Sequence, residues 1–298
     1  MTTTTIKGEQ MSSSAKDASQ AQEQYGLTQE QIDFFEENGY LGPMEAISEA
    51  EMGKLRSWID KLGFLDGPSP VYDMGADYKH RILRDWHLVH KELMELSTLP
   101  VMVEAMASLM GPDLVLWRSQ FQYKDSGGGA VAWHQDLGFP GHLFRPALDP
   151  VKNISAWIAI DDSNLTNGCV RIVPGSHKRE IERRMTRVGP EDKGLFGRRY
   201  KVEYVVDTSD AVALVMKPGQ FFLFNESSLH GSTGNPTAKR RMGFSTRVTT
   251  PDVKIYEGQD VDGQGFPLDH YSPVLIRGED KYEQNGIVQA SELEFVSK

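Results

Sequence analysis

Apolar residues recur at helical spacing through the first third of the chain and at strand spacing through most of the rest. Thr28-Gln29-Glu30-Gln31 has the form of a capping box, with Leu27 ahead of it and Ile32, Phe34 and Phe35 behind, so a helix is expected to run to Glu37 and stop at Asn38-Gly39. Tyr40 and Leu41 then open a strand. Ser48-Glu49-Ala50-Glu51 repeats the capping pattern ahead of Met52, Leu55, Trp58, Ile59 and Leu62, which predicts a second helix ending at Gly63. A third is expected from Pro100 to Met110, with Pro100 tolerated in its first turn and Gly111-Pro112 as the stop.

Beyond Gly111 the pattern changes to short β-rich runs separated by Gly, Pro, Asn and Asp. Strands are expected at 114–123, 130–134, 154–160, 170–173, 202–206, 220–224 and 242–248. Asn167-Gly168 is a turn signal between two of them, and Pro174-Gly175-Ser176 closes another. Strands of this number and length predict a mainly β fold with a jelly-roll (double-stranded β-helix, cupin-like) core and N-terminal helices packed on it. Residues 1–26 are poor in apolar side chains and are expected to be a flexible tail. Residues 27–298 then form a single domain, with a helical cover at about 27–112, a β core at about 113–255 and a C-terminal extension at 256–298.

Composition narrows the functional classes. A formal charge of -10 argues against nucleic acid, whose phosphates are met by Lys and Arg. No apolar run approaches the roughly 20 residues of a membrane helix, so no membrane partner is expected. Cys169 is the single cysteine, and the first residues lack the order of a secretory signal. A reducing cytoplasm is the expected compartment.

The chemistry centres on Trp133-His134-Gln135-Asp136 and on His230 far downstream. On an extended segment His134 and Asp136 share a face, and a histidine from a neighbouring strand can complete three corners of an octahedron. Two histidines and one carboxylate form the facial triad of non-haem Fe(II) oxygenases. Three protein ligands leave three positions, the number needed for a bidentate 2-oxoacid and O2. Zinc hydrolysis and a non-catalytic cupin-like binding protein are the competing readings of the same residues.

The chain resembles the phytanoyl-CoA dioxygenase family of Fe(II)/2-oxoglutarate-dependent oxygenases over about residues 27–255. The similarity is carried by Trp133-His134-Gln135-Asp136, Trp157-Ile158-Ala159-Ile160-Asp161-Asp162 with Asn167-Gly168, Pro174-Gly175-Ser176-His177, and His230 with Arg241. It implies that His134, Asp136 and His230 are the catalytic metal ligands for Fe(II), and that 2-oxoglutarate and O2 are co-substrates. It also implies that Arg241, eleven residues after the distal histidine, grips the far carboxylate of 2-oxoglutarate. A planar guanidinium suits that task; Arg240 is the alternative, since adjacent strand residues point oppositely and only one can face inward. Leu116-Trp117-Arg118-Ser119-Gln120 and Arg241-Met242-Gly243-Phe244-Ser245-Thr246-Arg247 resemble a branch that includes halogenases of free or carrier-tethered amino acids. Those enzymes replace the carboxylate ligand by Gly or Ala to admit halide. This chain keeps Asp136, so hydroxylation of an unactivated C–H bond is expected, with desaturation, demethylation or a halogenase-like outcome as alternatives.

Several further residues are candidates on weaker patterns. Gln120 and Gln122 share a strand face with Arg118 and either line the co-substrate pocket or face solvent. Trp157 is either a pocket wall or core, and Ser155 is a lesser candidate on the same strand. His177 reads as a loop-capping or substrate-side residue, because a fourth protein ligand would remove an open metal position. His80, His87 and His90 lack a carboxylate at a matching offset for a metal site. Arg84, Trp86 and His87 are instead expected to face substrate, together with Arg118 and Arg247. These arginines favour a small, polar, amino-acid-like or natural-product substrate, free or attached to a carrier protein.

Overall fold

The structure, a computed structural model, describes residues 19–63, 83–136, 148–187, 200–256 and 271–296. The first two predicted helices start as read: α1 (Gln29–Asn38) and α2 (Glu49–Ile59) both begin with complete capping boxes, at Thr28 and Ser48, and α2 stops at Ile59, short of the expected Gly63. Gly39 ends α1 in the left-handed region at φ 77°, where a side chain would be strained. Next come α3 (Lys91–Ser97), which no sequence signal predicted, and α4 (Pro100–Met110). The expected tail is corrected in part, because residues 19–25 are helical. That turn is held down by Gln22, which donates to Ser108 Oγ at 3.1 Å and accepts from Arg277 at 3.2 Å.

Eleven strands build two facing antiparallel sheets: β1 (Tyr40–Glu45), β2 (Leu114–Lys124), β3 (Val131–His134), β4 (Ile154–Ala159), β5 (Val170–Ile172), β6 (Val212–Ala213), β7 (Gln220–Asn225), β8 (His230–Ser232), β9 (Arg241–Thr249), β10 (Val274–Arg277) and β11 (Val288–Gln289). The larger sheet runs β1-β7-β4-β9-β2-β10-β11, parallel only at its β10–β11 edge, and the smaller runs β3-β8-β5-β6. Two short ribbons, Leu148–Asp149 with Lys254–Ile255 and Glu182–Arg187 with Tyr200–Val205, stand apart. The β core therefore does not end near residue 255: β10 and β11, from the expected C-terminal extension, join the large sheet beside β2.

Both faces of the large sheet are covered, which is why its central strands are buried along almost their whole length. One face, with Phe121, Ile158, Phe221 and Phe244, packs under the helices. The other, with Trp157, Ala159, Phe222 and Phe224, meets Val170 and Ile172 of the small sheet. Among the described residues no single helix is long and apolar enough to cross a membrane.

Candidate active site

The register of β9 against β2 and β4 sets what lines the space between the sheets. Arg241 pairs with Lys124, Gly243 with Gln122, Ser245 with Gln120 and Arg247 with Arg118, while Ser245 and Arg247 face Trp157 and Ser155 on the other side. Directly paired residues in an antiparallel ladder share a face, so all of these look inward together. The intervening Met242, Phe244 and Val248 belong to the core under the helices. A Cβ at Gly243 would collide with the Trp157 indole, so glycine there is what lets the ring lie against the strand.

At one end of this space His134, on β3, pairs directly with His230, on β8. Their ring centroids are 4.2 Å apart, and with Asp136 they present ligand atoms all within 4.8 Å of one another. His134 Nδ1 donates to the carbonyl of Ala132 at 2.8 Å, and His230 Nδ1 donates to that of Ser228 at 3.0 Å. A carbonyl oxygen can only accept, so both protons sit on Nδ1 and both Nε2 lone pairs are presented together. Burial, then the neighbouring His134, pushes His230 down to about 4, which keeps its ring neutral and able to ligate. The Asp136 amide donates to the carbonyl of Glu226 at 2.8 Å, which fixes the turn after β3. Burial would raise the Asp136 carboxyl, but Arg247 first, then His230, His134 and Arg84, outweigh it and hold it below its usual value. Two imidazoles and one carboxylate with their ligand atoms drawn together are a donor set suited to ferrous iron.

From the metal corner an aromatic wall runs inward. His230 meets Phe224 at 4.8 Å, Phe224 meets Phe222 at 5.4 Å, and Phe222 meets Trp157 at 5.8 Å. The Arg241 guanidinium then lies 5.5 Å from the Trp157 ring. Arg241 is buried; it donates to the carbonyls of Gln122 at 3.2 Å and Gly168 at 2.9 Å, while its Nε has no partner among the described residues. Burial lowers it to about 10, still charged at neutral pH. An orphaned, buried guanidinium N–H facing this space fits a carboxylate. Arg240 points the other way, to Asp60 at 2.5 Å and Asp161 at 3.0 Å, and ties β9 to the end of α2.

Lys124 lies opposite Arg241 and was not singled out in the sequence, although the alternation of 118, 120 and 122 extends to it. Its ammonium donates to the carbonyls of Gly129 at 2.6 Å and Thr233 at 2.9 Å, and burial, then Arg241, lowers it to about 8. Glu226 was also missed. Its carboxyl accepts from the Asn153 amide at 3.1 Å, and burial pushes it up to about 7. No local signal marks it, since its surroundings come from distant strands.

The remaining candidates separate by face. Gln120 and Gln122 look inward, and Gln122 donates to Ser245 Oγ at 3.4 Å. Arg84 forms a β-bridge with Gln120 and so joins the same face, next to Arg118, which lies 3.9 Å from Asp85. Trp86 and His87 do not face that space, contrary to expectation. Trp86 packs edge-on to Phe121 and stacks on His90 in the core under the helices, and His87 is fully buried with Nδ1 2.7 Å from Ser119 Oγ. Burial, then Arg118, drives His87 down to about 3. The cause is alternation, because Ser119 and Phe121 lie on the face of β2 opposite to Gln120. His177 donates through Nε2 to the carbonyl of Glu36 at 3.0 Å and holds α1, away from the triad. His80 lies outside the described residues.

Two histidines and a carboxylate drawn together inside a jelly roll, with a buried arginine on the same inward face, are the features of an iron- and 2-oxoglutarate-dependent oxygenase. The chain belongs to the phytanoyl-CoA dioxygenase (PhyH) family, whose sequence profile matches residues 35–243. It is 28% identical over 228 residues to a methylphosphonate hydroxylase of Gimesia maris, covering 72% of this chain and 78% of that protein. It is 27% identical over 216 residues to an L-proline trans-4-hydroxylase of Streptomyces griseoviridis, covering 68% and 80%. The solved structure of CytC3 with Fe(II) and alpha-ketoglutarate superimposes with a TM-score of 0.68 at 27% identity, covering 92% of this chain and 98% of that one. The protein is thus a 2-oxoglutarate-dependent dioxygenase that uses Fe(II), with a jelly-roll core as expected.

Proposed function

We propose that the protein hydroxylates an unactivated C–H bond of a small polar, amino-acid-like or natural-product substrate that carries an anionic group, releasing succinate and CO2. The observation that carries this reading is the pairing of a retained Asp136 with an inward face rich in arginine. His134, Asp136 and His230 are the residues to hold Fe(II), which when bound supplies the oxidising chemistry that couples O2 and 2-oxoglutarate breakdown to attack on carbon. The Arg241 Nε donates to the far carboxylate of 2-oxoglutarate, and Trp157 and Phe222 exclude water beside its methylenes. Arg84 and Arg118 receive the substrate's anionic group and aim a C–H bond toward the metal corner. Asp136 fills the position that a halide would need, so it favours oxygen insertion over halogenation. The two hydroxylases among the relatives act, by their names, on methylphosphonate and proline, both small molecules with an anionic group.

Substrate-dependent succinate formation, measured across amino acids, alkylphosphonates, neutral analogues and carrier-tethered aminoacyl groups, tests the proposal. A small anion should stimulate turnover and acquire a hydroxyl group detectable by mass. Equal turnover of neutral analogues, or a desaturated or halogenated product, overturns the corresponding part of it.

A further inference from the structure

A metal held by this triad keeps three positions open only if Asp136 contributes a single oxygen. Carboxylates bind metal ions through one oxygen or through two, and His134 and His230 do not decide between these modes. In this protein the second oxygen is engaged. Arg247 Nη2 lies 3.0 Å from Asp136 Oδ2, whereas Oδ1 is the oxygen 3.8 Å from His134 Nε2. The contact is a close ion pair whose angles fall short of an aligned hydrogen bond. Its side chains are only 18% and 9% exposed, so solvent screens it far less than a surface pair.

The contact also bridges the two sheets. Asp136 follows β3 of the smaller sheet, and Arg247 stands on β9 of the larger, on the same inward face as Arg241. One strand thus carries two inward cations, Arg241 at its start and Arg247 six residues on, beside Asp136.

The geometry points to Arg247 as a positioning residue that holds Asp136 to one metal-facing oxygen and so keeps a position open for O2 beside 2-oxoglutarate. This role rests on the triad carrying Fe(II) and 2-oxoglutarate, and it differs from the substrate contact expected of Arg247 in the sequence. Without the cation, Oδ2 is at liberty to turn to the metal. Two carboxylate oxygens and two imidazoles then take four of six positions, 2-oxoglutarate takes the other two, and O2 has none.

Nitric oxide reports on that last position without turnover. Wild type, Arg247→Met and Arg247→Lys are loaded anaerobically with Fe(II) and 2-oxoglutarate, the visible band of the chelate confirms loading, and nitric oxide binding is followed by EPR. Arg247→Met is expected to load with both but to bind nitric oxide about tenfold more weakly, the scale of one charge-assisted contact, with Arg247→Lys recovering most of the loss. If Arg247→Met does not fold, Arg247→Gln serves as the neutral variant. Wild-type nitric oxide affinity in the neutral variant overturns the role, as does a lysine variant as impaired as the neutral one. A wild-type protein that fails to bind 2-oxoglutarate with Fe(II) removes the reading beneath it, which sets the two failures apart.

Discussion

On an extended strand, neighbouring side chains point to opposite faces, and Arg240 and Arg241 show what that does to two adjacent cations. Arg240 closes an exposed-side network with Asp60 and Asp161, while Arg241 is buried against Trp157 with one N–H unsatisfied. Their substitutions should therefore separate cleanly. Arg241→Ala is expected to raise the KM for 2-oxoglutarate roughly 10- to 150-fold, from the roughly 1.5–3 kcal/mol of a hydrogen bond to a charged group. Arg240→Ala should leave that KM almost unchanged and lower stability by up to about 1 kcal/mol, as for a partly exposed ion-pair network. Steady-state kinetics with 2-oxoglutarate as the varied substrate, paired with urea titrations, distinguishes them; a larger KM effect at 240 would reverse the assignment. Alternation alone shows that only one of the two can face inward, and the Asp60 contact decides which.

Among the elements, those strands and helices that satisfy strong local demands were legible. β2, β4, β7 and β9 fall within one residue of their predicted ends, because their apolar runs are bounded by turn residues and buried on both faces. α3 was not legible: it has seven residues, and His90 at its N-cap makes no side-chain capping bond. β10 is four residues long and becomes a strand by pairing with β2 and β11. Glycine at 243 has an element-scale consequence as well. Gly243→Val should overpack the Trp157 contact and cost about 1–3 kcal/mol, read as a lower urea midpoint with an unchanged slope. An unshifted midpoint would mean that the indole has another place to go.

For the molecule as a whole, His134 and Asp136 stand out as a local pair in the sequence, and the pairing of β3 with β8 brings the distant His230 beside them. Asn153 and Glu226 owe their surroundings to segments that meet only in three dimensions and left no trace in the sequence, whereas Lys124 continues the alternation of Gln120 and Gln122. The chain after residue 270 likewise reads as an appendage but functions as part of the sheet: β10 covers the fully buried Leu114, Val115 and Leu116, and Arg277 pairs with Glu104 at 3.0 Å. Deleting residues 271–298 should abolish cooperative thermal unfolding or solubility, and a truncated protein with the full-length Tm would refute that role. His134 and His230 lie far apart in the chain and meet where β3 and β8 pair. Fe(II) held by both would clasp the smaller sheet, and bound metal adds stability that grows with the logarithm of its concentration over its dissociation constant. Removing iron is then expected to lower the thermal midpoint, and equal midpoints with and without Fe(II) would refute the clasp.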